Sequence, residues 1–153
     1  MANPLTLVIP LKEGIDLGQL QAGLAQLMPN IGAAMEAVGT VHYSRVALLD
    51  HSSPNLQPKP DSSGPFSFAV ITTYDGDFDV YIQDFVTHLG PIYDTLLGFS
   101  ADGAGIVPVA DHVEEFTSYL EANDLSKQPP SNAFPFYNAY PFTVQQVLAN
   151  APS

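Results

Sequence analysis

The chain has 153 residues, with 4 Lys+Arg against 16 Asp+Glu and a formal net charge of −12. With 46% hydrophobic residues, 13% charged and no Cys, it is long and apolar enough for one ordinary domain, and it has no disulfide, thiol chemistry or Cys-ligated metal. The balance excludes a basic footprint for nucleic acid or anionic lipid and an acidic disordered chain; no apolar run approaches the ~20 residues of a membrane helix.

The start, Met-Ala-Asn-Pro-Leu, has no basic segment before its apolar run, and Pro10, Lys12 and Glu13 break that run early. No secretory or transit peptide is expected, and the expected location is cytoplasmic. Leu5 to Leu11 reads as a first strand, at a sheet edge or ending at Pro10, which lacks an N–H for a ladder. Asp16 is a suitable N-cap for the helix that follows. Leu17, Leu20, Leu24, Leu27, Ile31, Met35 and Val38 recur at steps of three and four, one stripe of an amphipathic helix. Pro29 predicts a break into two pieces packed on one surface, and Gly39 a C-terminal stop.

Thr40 to Asp50 reads as the second strand. His51 to Pro65 carries four Pro, four Ser and one Gly and reads as a long surface loop. Phe66 to Tyr74 is the third strand, closed by Asp75-Gly76-Asp77. A helix follows, with Phe78, Ile82, Phe85, Leu89, Ile92 and Leu96 on one stripe, up to Gly98. Gly105 to Val109 is a short strand candidate. Asp111 to Ala122 reads as a helix with a capping-box-like start at Asp111 and Glu114. Phe134, Phe136, Tyr137, Tyr140 and Phe142 place five aromatics in nine residues. That much apolar area is expected to pack on the domain or on a partner subunit. Thr143 caps a short last helix through Leu148, and the first three residues and the last few are expected to fray.

The order β-α-β-β-α, then a weak strand and more helix, matches the split βαβ, ferredoxin-like plan. The expected fold is α+β: an antiparallel sheet with helices on one face, residues 1–127 forming the domain and 128–153 an aromatic arm. The sheet's other face is also apolar, and a second sheet from a twin subunit would cover it.

The segments VHYSRVALLD and FAVITTYDGDFDVYIQDFVTHLG, across about residues 40 to 97, resemble the central block of the dimeric α/β-barrel superfamily. That group includes dye-decolourising peroxidases, chlorite dismutases and small ferredoxin-like monooxygenases. Its members place a strand with His and Arg before a strand ending in an acidic turn. Here His42, Arg45 and Asp75-Gly76-Asp77 hold those places. The resemblance implies a homodimer in a dimeric α/β-barrel arrangement and a small-ligand cavity, with haem as one candidate cofactor. Peroxidase-like members use GxxDG with a catalytic Asp. Gly98 to Gly103 (GFSADG) is one residue longer, so that activity is not carried over.

Asp75, Asp77 and Asp79 open like a calcium loop, but Val80 and Val86 stand where Gly and Glu are needed, so no metal site is expected there and Asp77 reads as a helix cap. Of the four His, His51 and His112 read as solvated. His42, in a strand, and His88, beside an apolar stripe, are candidates for a haem or metal ligand, against a plain structural role. Arg45 is the only Arg. Strand alternation puts it with Val41, Tyr43, Ala47 and Leu49, opposite His42. If buried, it needs an acidic partner or an anionic ligand, and a structural ion pair is the expectation. Tyr43 and Tyr74, on neighbouring strands, complete the ligand-binding candidates His42, Tyr43, Arg45, Tyr74 and His88.

Two functional expectations follow. One is a small-molecule-binding or oxidoreductase-like protein with its ligand, haem among the candidates, between sheet and helices. The other is a non-catalytic interaction module whose aromatic arm grips a partner.

Overall fold

The middle strand of the sheet is β3 (Phe66–Asp75), rich in β-branched and aromatic residues. It pairs antiparallel with β1 (Ala2–Pro10) on one side and β2 (Val41–Asp50) on the other, giving the order β1-β3-β2. The computed structural model describes residues 2–134, 136–137 and 141–151. The class is α+β, with a three-stranded antiparallel sheet that is consistent with a ferredoxin-like plan. β1 begins at Ala2, which is buried and paired with Asp75, so the first residues of the described chain belong to the ladder rather than fraying.

Period-2 alternation along β3 sends Phe66, Phe68, Val70 and Tyr74 toward the helices. Against them lies α2 (Phe78–Gly98), whose buried face includes Tyr81, Ile82, Phe85, Leu89, Tyr93, Leu96 and Leu97. Asp77 caps α2, accepting from the N–H groups of Asp79 (2.9 Å) and Val80 (3.4 Å). An aromatic chain crosses the core: Tyr74 stacks on Tyr81 at 4.1 Å, and Tyr81, Phe85, Tyr93 and Phe116 follow at 5.0–5.2 Å between ring centres. Burial pushes the Tyr74 phenol up to about 12 and those of Tyr81 and Tyr93 higher still.

The other long helix, α1 (Leu17–Val38), runs unbroken through Pro29, where two pieces were expected. Pro29 and Ala25, whose carbonyl loses its partner, both lie on the exposed side, so the helix can continue past the missing hydrogen bond with that carbonyl on the solvent side. Asp16 caps the start, and Gly39 ends the helix at φ 67, a left-handed conformation, its N–H bonded to the Met35 carbonyl.

No strand forms at Gly105–Val109. Short 3₁₀ turns at Ala104–Ile106 and Val109–Asp111 stand there instead. Pro108 interrupts the run, and Val109 is buried against α2, its N–H donating to Asp94 (2.7 Å). α3 (Val113–Asn123) starts later than expected and without a side-chain cap. After it, the turn at Asp124 takes up the open edge of β1: the buried Asp124 carboxylate accepts from the Thr6 N–H (3.0 Å), and the Leu125 N–H donates to the Thr6 carbonyl (2.8 Å). α4 (Val144–Ala149) closes the fold with a capping box between Thr143 and Gln146. Among the described residues, no helix is long and apolar enough to cross a membrane.

The loop 51–65 is tied at its root by Asp50, which is buried and accepts from the Ser52 N–H (2.9 Å), the Ser52 hydroxyl (2.7 Å) and the Ser62 hydroxyl (2.5 Å). The Ser62 and Ser52 hydroxyls hold the Asp50 carboxyl below the usual carboxylate range. With the folded-state pKa lowered, this stabilisation is complete above pH ~4 and is lost as pH falls through the folded value. Melting temperatures measured between pH ~6 and ~2 are therefore expected to fall more steeply for wild type than for Asp50→Asn. Parallel profiles would remove Asp50 from the acid response.

Candidate functional site

The stripe of α1 does not close onto the sheet. Among the described side chains of the helix, only Leu20 and Val38 are buried hydrophobics, while Leu17, Leu24, Ile31 and Met35 are partly open. The space left is a cavity of about 360 Å³ between the second half of α1, β2 and α2. Its walls are aliphatic and aromatic, with Met35, Val41, Val70, Phe85 and Leu89 among them. A second cavity of about 390 Å³ adjoins it toward the start of α1, and Ile31, Val46, Ile92 and Leu96 line both. Native cores leave few voids larger than a water molecule, whereas ligand pockets begin near 300 Å³.

The polar residues that line the first cavity are His42, Tyr43, Ser44 and Arg45 of β2 and Tyr93 of α2. Alternation alone predicts His42 and Arg45 on opposite faces. The register with β3 shifts between Val41 and Tyr43, leaving His42 as the extra residue of a bulge. The three candidates His42, Tyr43 and Arg45 all border the cavity at the open edge of β2, but Tyr43 and Arg45, paired with Thr73 and Ile71, lie on the sheet face turned away from the helices.

Arg45 is exposed, and no carboxylate of the described residues pairs with it. The expected structural ion pair is absent among those residues because the premise of burial fails: β2 is an edge strand, and Arg45, paired with Ile71, reaches solvent. Tyr74 faces the core, in the stack with Tyr81, and does not line the cavity. His88 lies on the exposed side of α2, away from the cavity. The two histidines considered for a haem therefore do not converge. Among the described residues, no group of three or more His, Asp or Glu could hold a metal ion.

Next to the cavity, at the end of the sheet, His42 Nε2 lies 3.0 Å from Asp75 Oδ2, off the axis of a hydrogen bond. The same Asp75 oxygen accepts the Val144 N–H at 2.7 Å, while Gln145 donates to the Gly39 carbonyl at 2.9 Å. Asp75 thus anchors α4 against the sheet, a contact between residues 69 positions apart that nothing in the local sequence announces. Thr40 Oγ1 and Asp75 Oδ1 are buried there without a partner.

The GFSADG stretch serves the fold. Ser100 is buried, donates to the Leu97 carbonyl (2.8 Å) and accepts from the Gly103 N–H (2.7 Å). A Cβ at Gly103 would lie 2.6 Å from both Leu97 and Ser100 side chains, so only glycine fits. Asp102 is exposed and accepts from the Tyr119 hydroxyl at 2.8 Å.

Asp75→Ala should release α4. Amide exchange at Val144 to Ala149 is expected to accelerate and stability to fall by about 1–3 kcal/mol, the cost of removing a charged acceptor from a part-buried N–H. Unchanged exchange in that helix would show that Asp75 does not hold it.

No family model, curated protein or solved structure matches this chain.

Proposed function

We propose that the chain binds a small, mainly apolar molecule in the slot between α1 and the sheet. The observation that carries this reading is the pair of adjoining cavities, about 360 and 390 Å³, with shared aliphatic walls. Ser44 of β2 and Tyr93 of α2 are among the few polar residues that border the slot. Binding would add the apolar contacts that α1 does not make with β2 and would stabilise the fold by mass action. Haem is the less supported occupant, because His88 stands outside the slot and His42 Nε2 lies 3.0 Å from the Asp75 carboxylate.

A neutral naphthylamine dye tests the reading. Its fluorescence is expected to rise on mixing with wild type and to be lost in Ile31→Trp, which fills the junction of the two cavities. Haemin added to a parallel melt tests the haem alternative, a Soret shift with a raised melting temperature being its signature. A dye signal that is absent, or unaffected by Ile31→Trp, would overturn the slot as the binding site.

A second reading, association with a second copy in a dimeric α/β-barrel arrangement, is favoured by the sheet's other face and by the arm. Tyr43 (53%) and Ile71 (41%) are exposed on that face, and in the arm Phe134 (73%) and Tyr137 (85%) are more so. Phe136 and Phe142 are exposed as well, while Pro135 and Tyr140 lie outside the described residues. Among the described rings of the arm, Phe134 and Tyr137 are left most open to a partner. Light scattering at micromolar concentration is expected to give twice the 16.4 kDa of one chain. A value equal to one chain would exclude the pairing.

A further inference from the structure

We infer that two copies of this chain pair antiparallel through their β2 edges, about a two-fold axis at Val46, and join their sheets into one. The choice of a second copy as partner rests on the second reading above, and the contact moves from the sheet's other face to its edge. The backbone carries the argument. The His51 N–H bonds the Pro65 carbonyl (2.9 Å), in register with the ladder of β2 on β3. In an antiparallel ladder, residues that bond the neighbour alternate with residues that point away. Tyr43, Arg45, Ala47 and Leu49 therefore bond β3, while Ser44, Val46 and Leu48 turn their N–H and C=O groups to the open side, where no described residue meets them. The next outward N–H, that of Asp50, is taken by the Leu56 carbonyl (2.9 Å). The outward side of β1 is closed by contrast. Pro4 and Pro10 have no N–H, Thr6 is bonded by Asp124 and Leu125, and the Pro10 carbonyl takes the Ala101 N–H (2.9 Å). Val8 between them has no free neighbour with which to seat a strand. Nothing blunts β2 in this way: it contains neither Pro nor Lys, and Arg45 directs its side chain to the other face rather than across the edge.

The open set fits its own copy. Antiparallel pairing of a strand with itself is isologous. Centred on Val46, it exchanges both backbone bonds with Val46 of the partner subunit and pairs Ser44 with the partner's Leu48 on each side of the axis, so every outward group is used. On the other face, Tyr43 then lies beside the partner's Leu49 and Arg45 beside the partner's Ala47. Centred on Arg45, the pairing would set Arg45 against the partner's Arg45, a destabilising like-charge pair, and leave Leu48 facing the bulge at His42. Charge favours the place. Chains of net charge −12 repel one another, and Val41 to Leu49 holds no Asp or Glu, so the paired strands bring no acidic groups together. The slot opens to solvent at this same strand, since Val46 lines both cavities and is still 45% exposed. Val46 and Leu48 of the partner subunit close that side with apolar groups.

Light scattering at micromolar concentration on wild type, Val46→Lys, Val46→Glu, an equimolar mixture of the two variants, and Ile71→Lys tests this. Val46 and Ile71 are exposed, so all should fold, which a melt confirms. Wild type and Ile71→Lys are expected at twice the 16.4 kDa of one chain, each Val46 variant alone at the mass of one chain, and the mixture at twice again, because residue 46 meets its own copy on the axis. Amide exchange at Ser44, Val46 and Leu48 is expected to be at least tenfold faster in Val46→Lys than in wild type, with Arg45 and Ala47 protected in both. Val46→Lys at twice the mass of one chain would overturn the edge, and Ile71→Lys at the mass of one chain beside it would return the contact to the other face. A mixture that stays at the mass of one chain would overturn the axis at Val46. Wild type at the mass of one chain would overturn the second reading along with the edge.

Discussion

β3 satisfies its backbone on both sides, pairing along its length with β1 and with β2, and this double pairing sets the places of everything else. Its helix-facing residues, Phe68, Val70 and Tyr74, supply the floor on which α2 lies, and the Tyr74–Tyr81 stack locks helix to strand. The two flanking strands are left as edges, and the fold treats them differently. The edge of β1 is closed by the Asp124 turn, where a side-chain carboxylate takes a hydrogen bond that a further strand would have taken. The edge of β2 is left open, and there the cavity and its polar groups meet.

The contrast between the two long helices explains the slot. α2 buries a broad face, because the sheet lies on one side of it while Val109 and α3 lie on the other. α1 leans on α2 and meets β2 only lightly, so its apolar stripe is half used. Each partly buried aliphatic on that stripe forgoes part of the ~25 cal/mol per Å² that full burial would contribute. A ligand would recover it.

Much of the fold was legible in local patterns. Asp16, Asp77, Thr143 and Gly39 act at helix ends as their side chains or their conformational freedom dictate, and the three strands follow the β-branched and aromatic runs. Pro29 misled, because a proline signals a missing hydrogen bond and not which side of the helix loses it. The run Gly105–Val109 misled because apolar content alone does not separate a strand from a chain pinned by one buried side chain. Of the site, the residue types His42, Tyr43 and Arg45 were legible, but the place of His42 in the strand was not. It depends on a bulge that breaks the alternation on which a sequence reading relies.

Composition and periodicity by themselves determined the class of the protein, its elements, its caps and the identity of its lone arginine, since these depend on neighbours within a turn or two of the chain. Only the tertiary structure decided that Arg45 is exposed rather than buried, that Asp75 holds α4 across 69 residues of sequence, and that α1 stands off the sheet far enough to leave a slot. Those three outcomes depend on which strand occupies an edge and how two helices share one sheet face. Such choices are made by long-range packing, and no local window of sequence contains them.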